Sequence, residues 1–279
     1  MREKNILVFA GIVTFNPDIQ VLKNNIDSIV NQVQVVVIFD NGSRNVFQIK
    51  KLISNYKDCI CIGSRTNKGI AYALNKLCEW GLEHSYNWVI TLDQDSVSPC
   101  DLIDCLKKYT GSKVAIVAPN IVYKNNEKYT HYSKKSYDIV QWVITSASLT
   151  NLKVWEKIGG FDEWLFIDGV DYDFGIRANN AGYKIIRTYD AQLYHELGNL
   201  KCISMLGKVI YVTNHSSFRK YYMTRNTIYL RKKLKTGKPI RTIVKYLVKL
   251  VFFEDNKKEK MWSIMRGIHD GLKSVHEFY

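Results

Sequence analysis

No stretch of this 279-residue chain holds eighteen consecutive apolar residues, which excludes a transmembrane helix. The apolar run 6–13, behind Met1-Arg2-Glu3-Lys4-Asn5, is too short to be signal core and anchor together and has no cleavage site. CxxC pairs are also missing. The six cysteines stand at 59, 61, 78, 100, 105 and 202, and Cys59 and Cys61 have no histidine partners. Reduced thiols in a cytoplasmic protein are therefore expected, rather than disulfides or a zinc site. Neither GxGxxG nor a GxxxxGK motif closing on Ser or Thr follows the first strand-like run. This argues against a dinucleotide-binding Rossmann domain and against a P-loop. No Ser/His/Asp or Cys/His constellation for covalent catalysis is visible either.

What is present reads as an ordinary globular composition, 46% hydrophobic and 24% charged, long enough to bury a sizeable core. The net charge of +14 is unevenly spread. Residues 218–279 carry sixteen Lys/Arg against five Asp/Glu, leaving only +3 on the other 217. Such asymmetry implies a negative partner for the C-terminal part.

The first hundred residues alternate strand-like and helix-like patterns. Ile6 to Val13 and Val33 to Phe39 are near-continuous apolar runs, as strands covered on both faces require. Ile19 to Gln32, Val46 to Tyr56 and Gly69 to His84 carry helical spacing. Cys59 to Ile62 and Trp88 to Leu92 read as further strands. This alternation predicts an open parallel α/β sheet, with ligands beyond the carboxyl ends of its strands. Thr14, Asn16, Asp40, Asn41, Asn67, Asp93 and Asp95 all fall at those ends.

Ile90-Thr91-Leu92-Asp93-Gln94-Asp95-Ser96 is the central stretch. In an extended backbone Asp93 and Asp95 project to one side. Two converging carboxylates suit a hard divalent cation, Mg²⁺ or Mn²⁺, bridging to phosphates. A turn or helix cap ahead of Pro99 is the plainer alternative. Farther on, Val114 to Pro119 predicts a strand, 123–137 a polar loop and Val140 to Leu149 a β-like run. Asp168, Asp171 and Asp173 fall within an aromatic frame, with helix from Phe174 to Ala181, a short strand at 185–187, and His195 beyond. Each acid could simply compensate a helix dipole, and His195 could be a core imidazole.

The chain resembles the family 2 glycosyltransferases, especially their bacterial rhamnosyltransferase branch, from about Gly11 to Asn226. The carriers are Gly11-Ile12-Val13-Thr14-Phe15-Asn16-Pro17, Asp40-Asn41-Gly42-Ser43, Asn67-Lys68-Gly69-Ile70-Ala71 with Leu74-Asn75, and Thr91 to Ser96. Gly159-Gly160-Phe161-Asp162, Phe166 to Asp171, His195-Glu196-Leu197-Gly198 and Tyr221 to Asn226 complete them. The resemblance implies a GT-A fold: an α/β, Rossmann-like open mixed sheet flanked by helices, with a basic helical C-terminal extension. A catalytic domain over 1–215 is expected, and the charge asymmetry points to the extension over 216–279. Thr14, Asn16 and Asp40 would line the base and ribose pocket, with Asn67 and Gly69 near ribose or diphosphate. Asp95, with Asp93 beside it, would hold the cation, and His195 would be a further metal ligand. Asp171 matches the family's catalytic base, with Asp168 and Asp173 competing for the role; Asp168 is otherwise expected near the nucleotide sugar. The implied reaction is an inverting single displacement. Ser146-Ala147-Ser148 departs from the Ser-Gly-Ser common in such sequences, which bears on substrate identity rather than on the reaction.

The expected donor is dTDP-L-rhamnose and the expected acceptor a growing surface polysaccharide or a lipid-linked glycan. A UDP-hexose or UDP-galactofuranose donor, a sugar-nucleotide pyrophosphorylase and a non-catalytic glycan-assembly subunit are the alternatives. At the basic end Ile243, Tyr246, Leu247 and Leu250 repeat at helical spacing beside Lys245 and Lys249. Two readings stay open: an anionic membrane surface at the cytoplasmic leaflet, or a helix packing on the catalytic domain. No nucleic-acid recognition motif accompanies the charge.

Overall fold

β-Branched and aromatic runs with almost every side chain buried make the centre of a sheet in the computed structural model, which describes residues 6–123, 130, 133–195, 201–205 and 208–274. The first compact unit takes residues 1–164 and 170–195. It begins with β1 (Val8–Thr14), α1 (Ile19–Ile29), β2 (Val36–Asn41), α2 (Val46–Ile53), β3 (Cys59–Ser64), α3 (Ile70–Glu83) and β4 (Trp88–Asp93). β1 pairs in parallel with both β2 and β4, and β2 with β3. The register sets Thr14 opposite Asp40 and Val13 opposite Asp93, so three polar strand ends reach one edge together. Asp18 starts α1, its carboxylate accepting the N–H groups of Gln20 and Val21.

Next come α4 (Leu102–Lys107), β5 (Val114–Tyr123), β6 (Tyr137–Val140), β7 (Ser148–Asn151), α5 (Leu152–Lys157), α6 (Val170–Asn180) and β8 (Lys184–His195). The sheet runs β3-β2-β1-β4-β7-β5-β8-β6. β7 is antiparallel to β4 and β5, and β6 is antiparallel to β8. The sheet is therefore mixed, as the family resemblance implies, and the purely parallel sheet suggested by the first hundred residues stops at β4. The core lies under α1, α2 and α4, with Leu22, Ile26, Ile38, Ile49, Ile90 and Leu102 fully buried.

Three local expectations change. The β-like run 140–149 is a strand end, a loop and the start of β7, because Ala147 takes a left-handed φ of 57° that breaks strand geometry. The short strand at 185–187 is the middle of the twelve-residue β8. Val30–Gln32 tightens into a 3₁₀ turn instead of continuing α1.

The second unit takes Leu165–Gly169 and residues 196–279. It holds a hairpin of β9 (Lys201–Met205) and β10 (Lys208–Val212), then α7 (Ser217–Leu234), α8 (Pro239–Phe253) and α9 (Lys257–Lys273). Lys220 and Lys260 are buried on either side of Glu254, at 2.5 and 3.1 Å. Among the described residues no helix is long and apolar enough to cross a membrane.

Candidate active site at the carboxyl edge of the sheet

Side-chain amides and hydroxyls tie together the loops after β1, β2, β3 and β4. The Thr14 hydroxyl donates to Asp40 Oδ1 at 3.2 Å, and the Ser43 amide donates to Asp40 Oδ2 at 3.1 Å. Asn16, at φ 49°, donates its N–H to Ser43 Oγ and accepts the Arg44 amide. Asn41 bridges to the loop after β3, donating to Asn67 Oδ1 and Gly69 O and accepting from Lys68 N–H. Asn67 in turn accepts the Gly69 amide at 2.9 Å. Gly42 has φ 86°, and a Cβ there would meet the Thr66 backbone at 2.7 Å, so the loops approach as closely as only glycine permits. Asp40, Gly42, Ser43, Lys50, Ser64 and Arg65 border a cavity of about 420 Å³ here.

The acidic loop differs in detail from its expected geometry. β4 ends at Asp93, and Ser96 N–H donates to Asp93 O, closing a turn around Gln94 and Asp95. Strand alternation therefore does not place Asp95 relative to Asp93; the turn does. Buried Asn25 donates to the Asp93 carbonyl at 2.6 Å, and Gln94 accepts the Phe15 amide at 2.9 Å, tying the acidic loop to β1. Asp95 is exposed, whereas Ser96 is buried with its hydroxyl 2.8 Å from that of Ser146. Two carboxylates at a strand end fit a hard cation as part of an oxygen set that phosphates and water would complete. Among the described residues no three His, Cys, Asp or Glu side chains form a ready-made metal cluster. The backbone of His195 ends β8, paired with Tyr123; its side chain, like Glu196-Leu197-Gly198, lies outside the described residues.

The three clustered acids have different surroundings. Asp173 is fully buried and takes Arg177 at 2.7 Å, while Arg177 also donates to the carbonyls of Ile158 and Gly160. That ion pair is structural: it fastens α6 to the turn after α5. Asp168, in the second unit with φ 63°, is held by Arg219 through Nε at 3.1 and 3.2 Å and Nη2 at 2.9 Å. Asp171 stands in the first turn of α6, half-buried, and its Oδ1 accepts the Tyr172 N–H at 2.8 Å.

Two pairs of sequence motifs turn out to be locks. Asn75 receives the Trp155 indole and the Phe161 amide and donates to Phe161 O and Glu163, so it holds the Gly159–Asp162 loop. Asn226 donates to the carbonyls of Leu165, Ile167 and Asp168. Sequence reasoning gave neither asparagine a role, because a partner 86 or about 60 positions away leaves no local pattern. It also missed a second cavity, of about 280 Å³, near the ends of β5 and β6. Burial pushes the Cys59 thiol up to about 12, and burial followed by the Asp40 charge raises that of Cys61, so neither β3 thiol suits a nucleophile.

Comparison with known proteins identifies the family and the fold. The family described as Glycosyl transferase family 2 matches residues 10–170. The chain is 28% identical, over 97% of both chains, to a protein named dTDP-rhamnosyl transferase RfbF from Shigella flexneri. GalNAc-T7, crystallised with UDP, GalNAc and Mn²⁺, superposes with a TM-score of 0.64 at 11% identity, over 98% of this chain and 57% of that one. S. aureus TarS 1-349 in complex with UDP-GlcNAc gives 0.54 at 14% identity, over 98% and 82%. At such identities these structures bear on the fold alone, which is GT-A.

Proposed function

Because the chain belongs to glycosyl transferase family 2, we propose that it transfers L-rhamnose from dTDP-L-rhamnose to a hydroxyl of a growing polysaccharide or lipid-linked glycan. The observation that carries the donor is end-to-end similarity to a protein named as a dTDP-rhamnosyl transferase. Residues 1–215 carry the chemistry and 216–279 the basic helical extension.

In this reading Thr14, Asn16 and Asp40 receive the base and ribose, and Asn67 and Gly69 shape the loop beside the diphosphate. Asp95, Asp93 and His195 are the residues to hold Mg²⁺ or Mn²⁺, which when bound supplies positive charge to the departing diphosphate. Asp171 removes the proton of the acceptor hydroxyl as that oxygen attacks the anomeric carbon, so the configuration inverts in one displacement. Its competitors are committed elsewhere, Asp173 to Arg177 and Asp168 to Arg219. Asp168 then acts by fixing its own loop rather than by touching sugar. The test is Asp171→Asn. Product formation should fall by about 10²–10⁴-fold with the donor Kd unchanged in calorimetry, whereas Asp95→Ala should weaken both. Near-normal turnover by Asp171→Asn would refute the base assignment.

The extension is proposed to attach the enzyme to the anionic inner face of the cell membrane. In support, Ile240, Val244, Val248 and Val251 recur along one side of α8 and are exposed, with Arg241 and Lys245 exposed beside them. The stripe singled out from sequence is a different one: its Leu250 is fully buried. Sedimentation with phosphatidylglycerol vesicles should capture the protein, and Val244→Asp with Val248→Asp should abolish capture; equal capture by neutral phosphatidylcholine would contradict an electrostatic attachment.

A further inference from the structure

The nucleotide candidates occupy the ends of β1, β2 and β3, and the acidic loop ends β4. Beyond β4 the sheet continues through β7, β5, β8 and β6. β7 lies between β4 and β5, so β5 is two strand spacings, about 10 Å at about 4.8 Å each, outward from the acidic loop. The donor's single sugar occupies the first part of that distance. Whatever lies over β5 and β8 is then the next molecule along.

The second cavity is there. Pro119 and Asn120 of β5, Val140 of β6, Trp142 and Ser146 of the following loop, and Arg187 of β8 line it. Ser146 connects it to the acidic loop through the Ser96 hydroxyl. Trp142 is 43% exposed. Its indole meets the Tyr172 ring edge-on at 5.8 Å. The Trp142 loop is pinned to α6: Asn179 donates to Gln141 O at 2.7 Å, and a Cβ on Gly175 would meet Trp142 Cβ at 2.6 Å. Gly175 lies one helical turn beyond Asp171, on the same face. The helix that carries the proposed base is thus the helix that fixes the tryptophan.

The chemistry of the cavity points to a neutral sugar. An indole held half-exposed at a cavity wall offers a flat surface to the C–H face of a pyranose. Arg187 lines the cavity with 20% of its side chain exposed, so its guanidinium is placed to donate to a ligand oxygen there. The charge of Arg187 is already balanced. Its Nη2 donates to the Tyr189 hydroxyl at 3.2 Å and lies 3.6 Å from Asp138, which also accepts the Tyr189 hydroxyl. A hydroxyl therefore suits this site better than a carboxylate.

We infer that this cavity is the acceptor subsite, in which Trp142 stacks on the terminal neutral pyranose of the acceptor glycan and Arg187 donates to one of its oxygens. The assignment of acceptor rather than donor sugar rests on the transferase reading above. The test uses the full chain with dTDP and Mg²⁺ and a panel of methyl pyranosides of rhamnose, glucose and N-acetylglucosamine, read by saturation-transfer NMR. At least one should bind. Trp142→Ala should weaken it about tenfold, and Trp142→Phe should restore most of the loss. Arg187→Lys, which keeps the charge but removes the planar guanidinium fork, should weaken it about fivefold. The dTDP-rhamnose Kd by calorimetry should stay within about twofold in all three variants, a change well under 1 kcal/mol. No pyranoside bound by the wild type, or affinities untouched by both Trp142→Ala and Arg187→Lys, would overturn the inference. Loss of dTDP-rhamnose affinity in Trp142→Ala would also overturn it, assigning the cavity to the donor. If the wild type bound pyranosides through Trp142 but no nucleotide sugar, the transferase reading would fail while the sugar site stood.

Discussion

Asp171 and Asp173 are two residues apart on α6 and sit in different surroundings, Asp173 fully buried against Arg177 and Asp171 half-buried in the first turn. Removing the carboxylate of Asp173 strands the Arg177 guanidinium against a buried turn, so Asp173→Ala should cost about 3 kcal/mol or more in urea unfolding. Asp171→Asn should leave the same curve within about 0.5 kcal/mol while abolishing transfer. The sequence showed three acids within six residues but could not separate them, because an arginine one turn later and two carbonyls from another loop decide the matter. A second residue-scale consequence concerns His215. Burial first, then the positive charge of Arg219, pushes its imidazole down to about 4, against an ordinary value near 6.5. The unfolded chain therefore takes up this proton first. The His215 contribution is fully present above pH 6.5 and is lost as pH falls from 6.5 towards 4. Denaturation midpoints should fall across that window, and His215→Gln should flatten the fall; an unchanged slope would contradict it.

At the scale of elements, the alternation of β1 to β4 with α1 to α3 could be read because long apolar runs and helical spacing are local signals. The loop between β6 and β7 could not, since Thr145-Ser146-Ala147 looks like strand until Ala147 turns left-handed. The two stripes of α8 were equally hidden. Nearly every position that is not basic is apolar, so periodicity marks a packing face but does not say which one packs. The loops at the carboxyl edge were legible as polar clusters, while the lock of Asn41 on Asn67 was not, being a pairing 26 residues apart. Gly42→Ala tests that edge. Its positive φ alone should cost roughly 1–3 kcal/mol, and the clash with Thr66 should shift Asp40 enough to weaken nucleotide binding. An alanine variant with wild-type stability and donor affinity would contradict the close approach. In the second unit Glu254→Gln should cost about 3–5 kcal/mol, because two buried lysines share that one carboxylate.

Over the whole chain, the charge map and the chemistry divide the same way. Polar strand ends collect on a part that is nearly neutral, and most of the +14 lies after residue 217. The family, the mixed GT-A sheet and the acidic loop were all accessible from motif order. The Trp142 cavity was not, because its walls come from three strands and a loop spread over 70 residues of chain. Vesicle capture through the basic part should weaken steeply as salt rises past 0.15 M, where the screening length is about 8 Å, while donor affinity should respond far less. Calorimetry of the purified protein against dTDP-L-rhamnose, UDP-glucose and UDP-galactofuranose, with Mn²⁺ and again with EDTA, tests the central claim most directly. The account predicts that dTDP-L-rhamnose binds in Mn²⁺ and that EDTA or Asp95→Ala removes most of the affinity. Binding of a UDP-sugar in its place would contradict the donor assignment, and binding of no nucleotide sugar at all would contradict the transferase itself.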